Sequence, residues 1–236
     1  MSGGVGPTSD IVLPKEEQDQ EPNPINPIPS QDRQSLLTFR QLNALAVVTV
    51  FSATGMVGIE DCAFAIFSFF YIYFLSKAAF PALTPRAEPP VFGKSRLLGV
   101  YVAIGALIGL FLPIGYIFEG IYEGDKEGIK AAAPHVFLLS AQIFMEGMTF
   151  SHRFSLPIRA FVPVFYNTKR LFTIAEWLKT EIGKAEEEHG STMRLHVGQG
   201  LAVANLVFWS FNLFGFLLPV YFPKAFQKYY SPKVKD

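Results

Sequence analysis

Two runs without a charged side chain, Leu97–Phe118 (22 residues) and Val197–Phe222 (26 residues), constrain this chain more than any other feature. A helix needs roughly 20 apolar residues, at about 1.5 Å each, to cross the hydrocarbon of a bilayer. Three further stretches share the texture. Leu42–Ile59 holds no charge, Glu60 and Asp61 interrupt, and Cys62–Ser76 is uncharged again. Pro134–Ser151 is apolar apart from His135, Gln142, Glu146 and a few hydroxyls. The expected fold is therefore all-α, a polytopic transmembrane helix bundle of about five spans, at residues 40–59, 62–80, 97–118, 132–152 and 197–222. Backbone polar groups in lipid must be satisfied within the segment, which makes the spans helices. The turn between the first two is so tight that a re-entrant hairpin is the alternative there. The 24 phenylalanines fit this picture. Those at 64, 67, 69, 70 and 74, and at 208, 211, 214 and 216, are expected to face lipid or pack between helices.

The flanks read differently. Residues 1–35 interleave six prolines with six carboxylates, against Lys15 and Arg33. Such a stretch buries too little apolar surface to offset ordering and is expected to be a disordered tail. It lacks the basic-then-apolar pattern of a signal peptide. Residues 223–236 form an expected basic tail, with four lysines and one acid. The formal net charge of zero is thus a cancellation between separated parts. It excludes a nucleic-acid binder held by bulk basic charge. The single cysteine, Cys62, excludes an internal disulfide and any metal site built on several cysteines.

Lysine and arginine in the loops predict orientation. Five spans put fourteen of these residues on the side of the N-terminus and six on the other. The N-terminus is then cytoplasmic. The basic C-terminal tail would favour the same side, which needs an even number of spans, so a four-span topology is the alternative.

The candidate site lies in the fourth span. His135, Gln142, Glu146, Thr149 and Arg153 are spaced 7, 4, 3 and 4 apart, so about 100° per residue puts them near one line of a helix. An ionisable group at membrane depth is by default a functional-site hypothesis, with Arg153 or Arg159 as the expected partner of Glu146. The bland reading is a lock between helices. Asn205 and Asn212 in the fifth span, with Trp209 between them, complete the set. Buried amides more often join helices than bind substrates. Gly105 and Gly109 form a small-xxx-small face in the third span. The third and fifth spans also share a pattern, Gly109-Leu-Phe-Leu-Pro113 and Gly215-Phe-Leu-Leu-Pro219, which is expected to be coincidental in apolar sequence.

Two connecting segments carry further signals. Glu119, Glu123 and Glu127 recur every four residues and read as a solvated acidic connector. Residues 155–170, broken by Pro157 and Pro163, read as an interfacial or re-entrant stretch. Leu171, Ile174, Leu178, Ile182 and Ala185 then follow helical spacing, with Lys179, Glu181 and Lys184 elsewhere. That pattern predicts a cytoplasmic amphipathic helix at about 169–189. No nucleotide-binding, nucleophile-elbow or paired-carboxylate motif occurs, so no catalytic residue, cofactor or metal ligand is assigned.

The runs RQLNALAVV (40–48), APHVFLLSAQIFMEG (133–147) and SLPIRAFVPVFYNTKR (155–170) resemble an uncharacterised family of plant multi-span membrane proteins, described as a domain of unknown function. The resemblance covers roughly residues 36–222. It implies a plant source and an integral membrane location, and brings no activity or site residue. The expected function is a membrane scaffold or accessory subunit, with the lipid bilayer and a protein partner or second copy as partners, and no nucleic acid. A small transporter or channel with Glu146 in its path is the alternative. A membrane-embedded lipid enzyme using His135, Glu146 or His152 is the least favoured reading.

Overall fold

The computed structural model describes residues 39–83, 91–93, 95–150, 153–186 and 192–231, and within them the regular structure is entirely helical. Helix α1 is Phe39–Ala53 and α2 is Ile59–Ala78. A 28-residue rod follows, made of α3 (Arg96–Ala106), a π-helical segment (Leu107–Phe111) and α4 (Leu112–Glu123). Then come α5 (Lys126–Thr149) and α6 (Leu156–Glu186). The last rod runs through α7 (Thr192–Ser210), a second π-helical segment (Phe211–Tyr221) and α8 (Phe222–Tyr230). Four of these helices are long and apolar enough to cross a membrane: α2, the α3–α4 rod, α5 and the α7–α8 rod. Helix α1 is apolar but shorter.

Local chemistry sets the boundaries. Gly55 turns the chain after α1 in the left-handed region, at φ 67°. Gly124 ends α4 in the same way, at φ 74°, where a side chain would be strained. Asp125 then caps α5 by accepting the Gly128 N–H at 2.9 Å. The cap places the start of α5 at Lys126, about six residues earlier than composition predicts.

The bundle has two ends. Ser155 Oγ donates to Phe80 O at 2.8 Å, Tyr229 Oη donates to Pro81 O at 3.0 Å, and Gln41 lies against Gly147. The starts of α1 and α6 and the ends of α2, α5 and α8 therefore meet at what we term the Phe80 end. At the opposite, Asp125 end, Lys184 of α6 and Arg194 of α7 both reach Asp125. The α3–α4 rod, α5, α6 and the α7–α8 rod run the full distance between the ends. Helices α1 and α2 form a hairpin that begins and finishes at the Phe80 end. Its tip, at Val57, packs on Ala133 and Phe137, about two turns inside the start of α5.

Three expectations change. Residues 155–170 are not a separate, broken stretch. They open a continuous 31-residue helix that traverses the bundle, with Pro163 inside it. The two ends of that helix lie at opposite ends of the bundle, so the 153–196 region is not gathered in one place as expected. The C-terminal segment is helical as far as Tyr230, not a tail from residue 223. The expected N-terminal tail, residues 1–35, lies outside the described residues, as does His152.

Outward-facing phenylalanines follow the expected distribution. Phe67, Phe69, Phe70 and Phe74 of α2 and Phe211 and Phe214 of the last rod are exposed. The core instead centres on α5 and α6, where Trp177, Tyr166, Phe137, Leu138, Ile158 and Ile174 are almost fully buried.

Candidate functional site

Helix α6 turns its polar stripe inward. Asn167, Arg170, Ile174, Trp177, Glu181 and Lys184 succeed one another at intervals of three and four, and all are buried. Ile182, expected on the apolar face, is exposed instead. The amphipathic pattern holds in part: Ile174 is buried, Leu171 and Leu178 pack on the core, and Glu176 and Lys179 are exposed, but Arg170, Glu181 and Lys184 are buried among other helices. Two polar clusters and one cavity result.

The first cluster sits at the Asp125 end. Glu181, fully buried, accepts from Tyr116 Oη at 2.6 Å and from Trp177 Nε1 at 3.3 Å, and pairs with Lys184 at 2.9 Å. Lys184 also reaches Asp125 at 2.9 Å. Arg194 donates from Nε to Asp125 at 2.8 Å, from Nη1 to Tyr116 O at 3.2 Å, and approaches Glu119 at 3.3 Å. Its guanidinium lies 4.1 Å from the centre of the Tyr116 ring. Burial alone would raise the Asp125 carboxyl, but hydrogen bonds from Lys184, the Gly128 N–H and Arg194 hold it below the usual carboxylate range. The acidic connector is thus only partly solvated, because Glu119 and Glu123 face Arg194. Gly128 and Gly198 make room for the network. A Cβ at Gly198 would lie 2.7 Å from a Glu181 carboxylate oxygen, and one at Gly128 would run into Asp125.

The second cluster surrounds the first π-helical segment. Pro113 has no N–H, so where the helix passes between α and π geometry one donor is missing for the carbonyls of Gly109 and Ile108, four and five residues back. Other helices supply it. His135 donates from Nε2 to Gly109 O at 2.8 Å, the carbonyl fixing that nitrogen as the donor. Asn205 donates to Ile108 O at 3.0 Å and accepts from Trp209 Nε1 at 3.1 Å. Trp209 fits because residue 109 is glycine, where a Cβ would come within 2.5 Å of the indole. Below the indole lies Arg170, its guanidinium 3.9 Å from the ring centre. Arg170 donates to Gln142 Oε1 at 2.6 Å and to Asn167 Oδ1 at 3.0 Å, and Asn167 donates to Trp209 O at 3.0 Å. Gln142 passes the connection on, donating to Glu146 Oε1 at 2.8 Å. Both copies of the shared Gly-x-x-Leu-Pro pattern fall in or at a π-helical segment.

A cavity of about 340 Å³ opens beside this cluster, towards the Phe80 end. Val102 and Ala106 of α3, Ile143 and Glu146 of α5, Arg159 of α6, and Phe208, Asn212 and Tyr221 of the last rod all contribute to its wall.

The structure thus disperses the set expected to share one line. His135 and Asn205 cap the π-helical segment. Gln142 and Glu146 lead from Arg170 to the cavity. Asn212 accepts from Tyr101 Oη at 2.8 Å on the cavity wall. Arg153 is exposed beyond the end of α5, apart from the rest. Sequence reading missed Arg170, Asn167, Glu181, Lys184 and Arg194. The available signal was the run of polar residues at three-and-four spacing along 167–184.

Fold and site together define an all-helical protein whose apolar helices enclose charged clusters. The chain belongs to the family described as domain of unknown function DUF7733, which matches residues 37–230. No curated protein and no solved structure matches it.

Proposed function

We propose that this protein is an integral membrane protein without catalytic chemistry, an accessory subunit that holds a lipophilic ligand in the cavity between α3, α5 and the last rod. One observation carries the reading. The polar side chains inside the bundle are occupied by internal partners, with His135 on Gly109 O, Asn205 on Ile108 O and Gln142 between Arg170 and Glu146. Gln142, Glu146 and Asn212 stand at the wall of a largely apolar cavity. Such a cavity, with a few convergent polar groups, is the usual form of a small-molecule site.

Four full-length crossings and one hairpin return the chain to the side on which α1 begins. In this reading the Phe80 end faces the cytoplasm. Lys77, Arg96, Arg153, Lys224 and Lys228 belong to that end, and the sequence joining α2 to α3 and following α8 adds Arg86, Lys94, Lys233 and Lys235. At the Asp125 end, Lys184 and Arg194 are held in buried ion pairs. The basic C-terminal segment then agrees with the positive-inside rule instead of opposing it.

The deciding experiment combines two measurements on protein purified in mild detergent. Native mass spectrometry reads retained hydrophobic molecules. Flux in proteoliposomes compares wild type with Glu146→Gln. A retained ligand with no protein-dependent flux supports the binding reading. Flux that falls on Glu146→Gln overturns it in favour of a transporter.

A further inference from the structure

We infer that the cavity takes an uncharged lipophile that carries a carbonyl oxygen, held there by the side-chain amide of Asn212. This rests on the binding reading above and adds the chemical class of the ligand.

A half-used amide carries the assignment. Asn212 is only 7% exposed. Its Oδ1 accepts from Tyr101 Oη at 2.8 Å, which leaves the two N–H donors of Nδ2. Among the described residues that nitrogen has no acceptor, and it is not sealed in protein but open to the cavity whose wall Asn212 forms. Other polar groups of the wall are engaged elsewhere. Gln142 accepts from Arg170 and donates to Glu146, and Trp209 Nε1 donates to Asn205. The Arg159 guanidinium lies 5.9 Å from the centre of the Phe150 ring and, like Glu146, has further partners. Tyr221 is only partly buried. A donor taken out of water and left unpaired is costly. An oxygen brought by the ligand therefore gains a hydrogen bond at a group that folding has already desolvated.

Geometry selects the rest. Tyr101 is the sixth residue of α3, so the amide lies about 7 Å inside the Phe80 end. Aromatic rings surround it: Tyr101 stacks on Phe208 at 5.4 Å and lies 5.7 Å from Phe216. Beyond them the wall is Ala106, Leu110, Leu139 and Ile143. An ionised oxygen would leave water for these surroundings at a cost that one neutral donor does not return, whereas a carbonyl sheds far less hydration. A volume of about 340 Å³ is at the low end of ligand cavities, roughly 300–1,000 Å³, which fits one ring system or one chain. A flat ring ketone and a chain bearing a ketone or ester share this chemistry.

The test uses the full chain in dodecyl maltoside, with tritiated fluorenone displaced by two matched pairs of competitors: fluorenone and fluorene, which are flat, and dihexyl ketone and tridecane, which are chains. Within each pair the members differ only by the carbonyl, and affinities are expressed per mole fraction in the micelle. Each ketone is expected to bind about fivefold tighter than its hydrocarbon, the amount one neutral hydrogen bond supplies. The tighter of the two ketones tells ring from chain. The paired variant Tyr101→Phe with Asn212→Leu removes both members of the hydrogen bond at this wall. It is expected to abolish the carbonyl preference and leave the hydrocarbons unchanged, whereas Ala106→Phe weakens all four. Ketones that bind wild type no tighter than their hydrocarbons overturn the carbonyl assignment and leave the binding reading intact. A preference that survives the paired variant overturns the assignment to Asn212. Failure of every probe to bind overturns both readings. The comparison on wild type needs no variant to fold.

Discussion

Helices α3 and α4 are halves of one rod, and they behave in opposite ways. Along α4, Pro113, Tyr116, Ile117 and Gly120 are buried. Along α3, Gly105 is the buried residue, and Leu97, Val100, Val102 and Ile104 face outward. The two halves are equally apolar, so hydropathy does not separate them. Lipid is as apolar as leucine, and apolar area alone does not draw helices together there. What α4 has is a set of charged anchors, where α3 has the Tyr101–Asn212 hydrogen bond. Tyr116 binds Glu181, and Glu119 and Glu123 meet Arg194. The π-helical segment between the halves, held by His135 and Asn205, lets one half lock and the other stand away. The locked half closes the Asp125 end, and the standing half makes the cavity.

The largest effects are expected where the lock is broken. Lys184→Met removes the cation paired with buried Glu181 and should cost about 3–5 kcal/mol in reversible unfolding by a denaturing detergent, and Glu181→Leu should cost less, because Lys184 keeps Asp125. The double variant should cost much less than the sum of the singles. Losses that simply add would mean that the residues do not act as a pair.

Next comes the junction. Asn205→Leu leaves Ile108 O without its donor, a loss of about 1–3 kcal/mol. In a Pro113→Ala background the main chain regains an N–H, so the same substitution should cost measurably less. An undiminished cost would show that Asn205 matters through Trp209 and not through the carbonyl.

The pH response isolates the Asp125 end. The Asp125 carboxyl is held low in the folded state. Its contribution is therefore complete above the unfolded value of about 3.9 and is lost as pH falls through the lower folded value. Thermal unfolding scans from pH 7 to pH 3 should show stability dropping below about pH 4, and Asp125→Asn should flatten that drop. A profile unchanged by the substitution would assign the acid sensitivity elsewhere.

Glycines give the finest contrast. Gly120→Ala in α4 must displace Arg194 and Ile129 and should cost about 1–3 kcal/mol, as overpacking does. At Gly99 in α3 an added methyl would meet nothing within 4 Å, and Gly99→Ala should stabilise by up to about 1 kcal/mol through helix propensity alone. If both shift the melting temperature alike, the two halves of the rod are not packed as differently as their contacts imply.

Much of the helical content was legible because apolar length is a local property. The uncharged run from Leu97 to Phe118 predicts the α3–α4 rod, and Val197–Phe222 predicts most of the last one. The polar site was legible in parts. Gln142 and Glu146 are one turn apart on α5, so their hydrogen bond follows from helical geometry. His135 was visible as a buried polar residue, but its partner, Gly109 O, is 26 residues away. Helix α6 was misread for a definite reason. Its charges at 170, 181 and 184 imply a solvated face when the helix is considered alone, and only partners on other helices make their burial tolerable.

The sequence by itself determined that the chain makes long apolar helices and that Gln142 and Glu146 stand one turn apart on one of them. Tertiary structure decided which groups satisfy the carbonyls of Gly109 and Ile108, which face of α6 turns inward, and at which end each segment emerges. The physical reason is separation. Tyr116 and Glu181 are 65 residues apart, and Arg194 and Asp125 are 69 apart. A pairing over such distances is set by the packing of the whole bundle and leaves no mark in the spacing of its members.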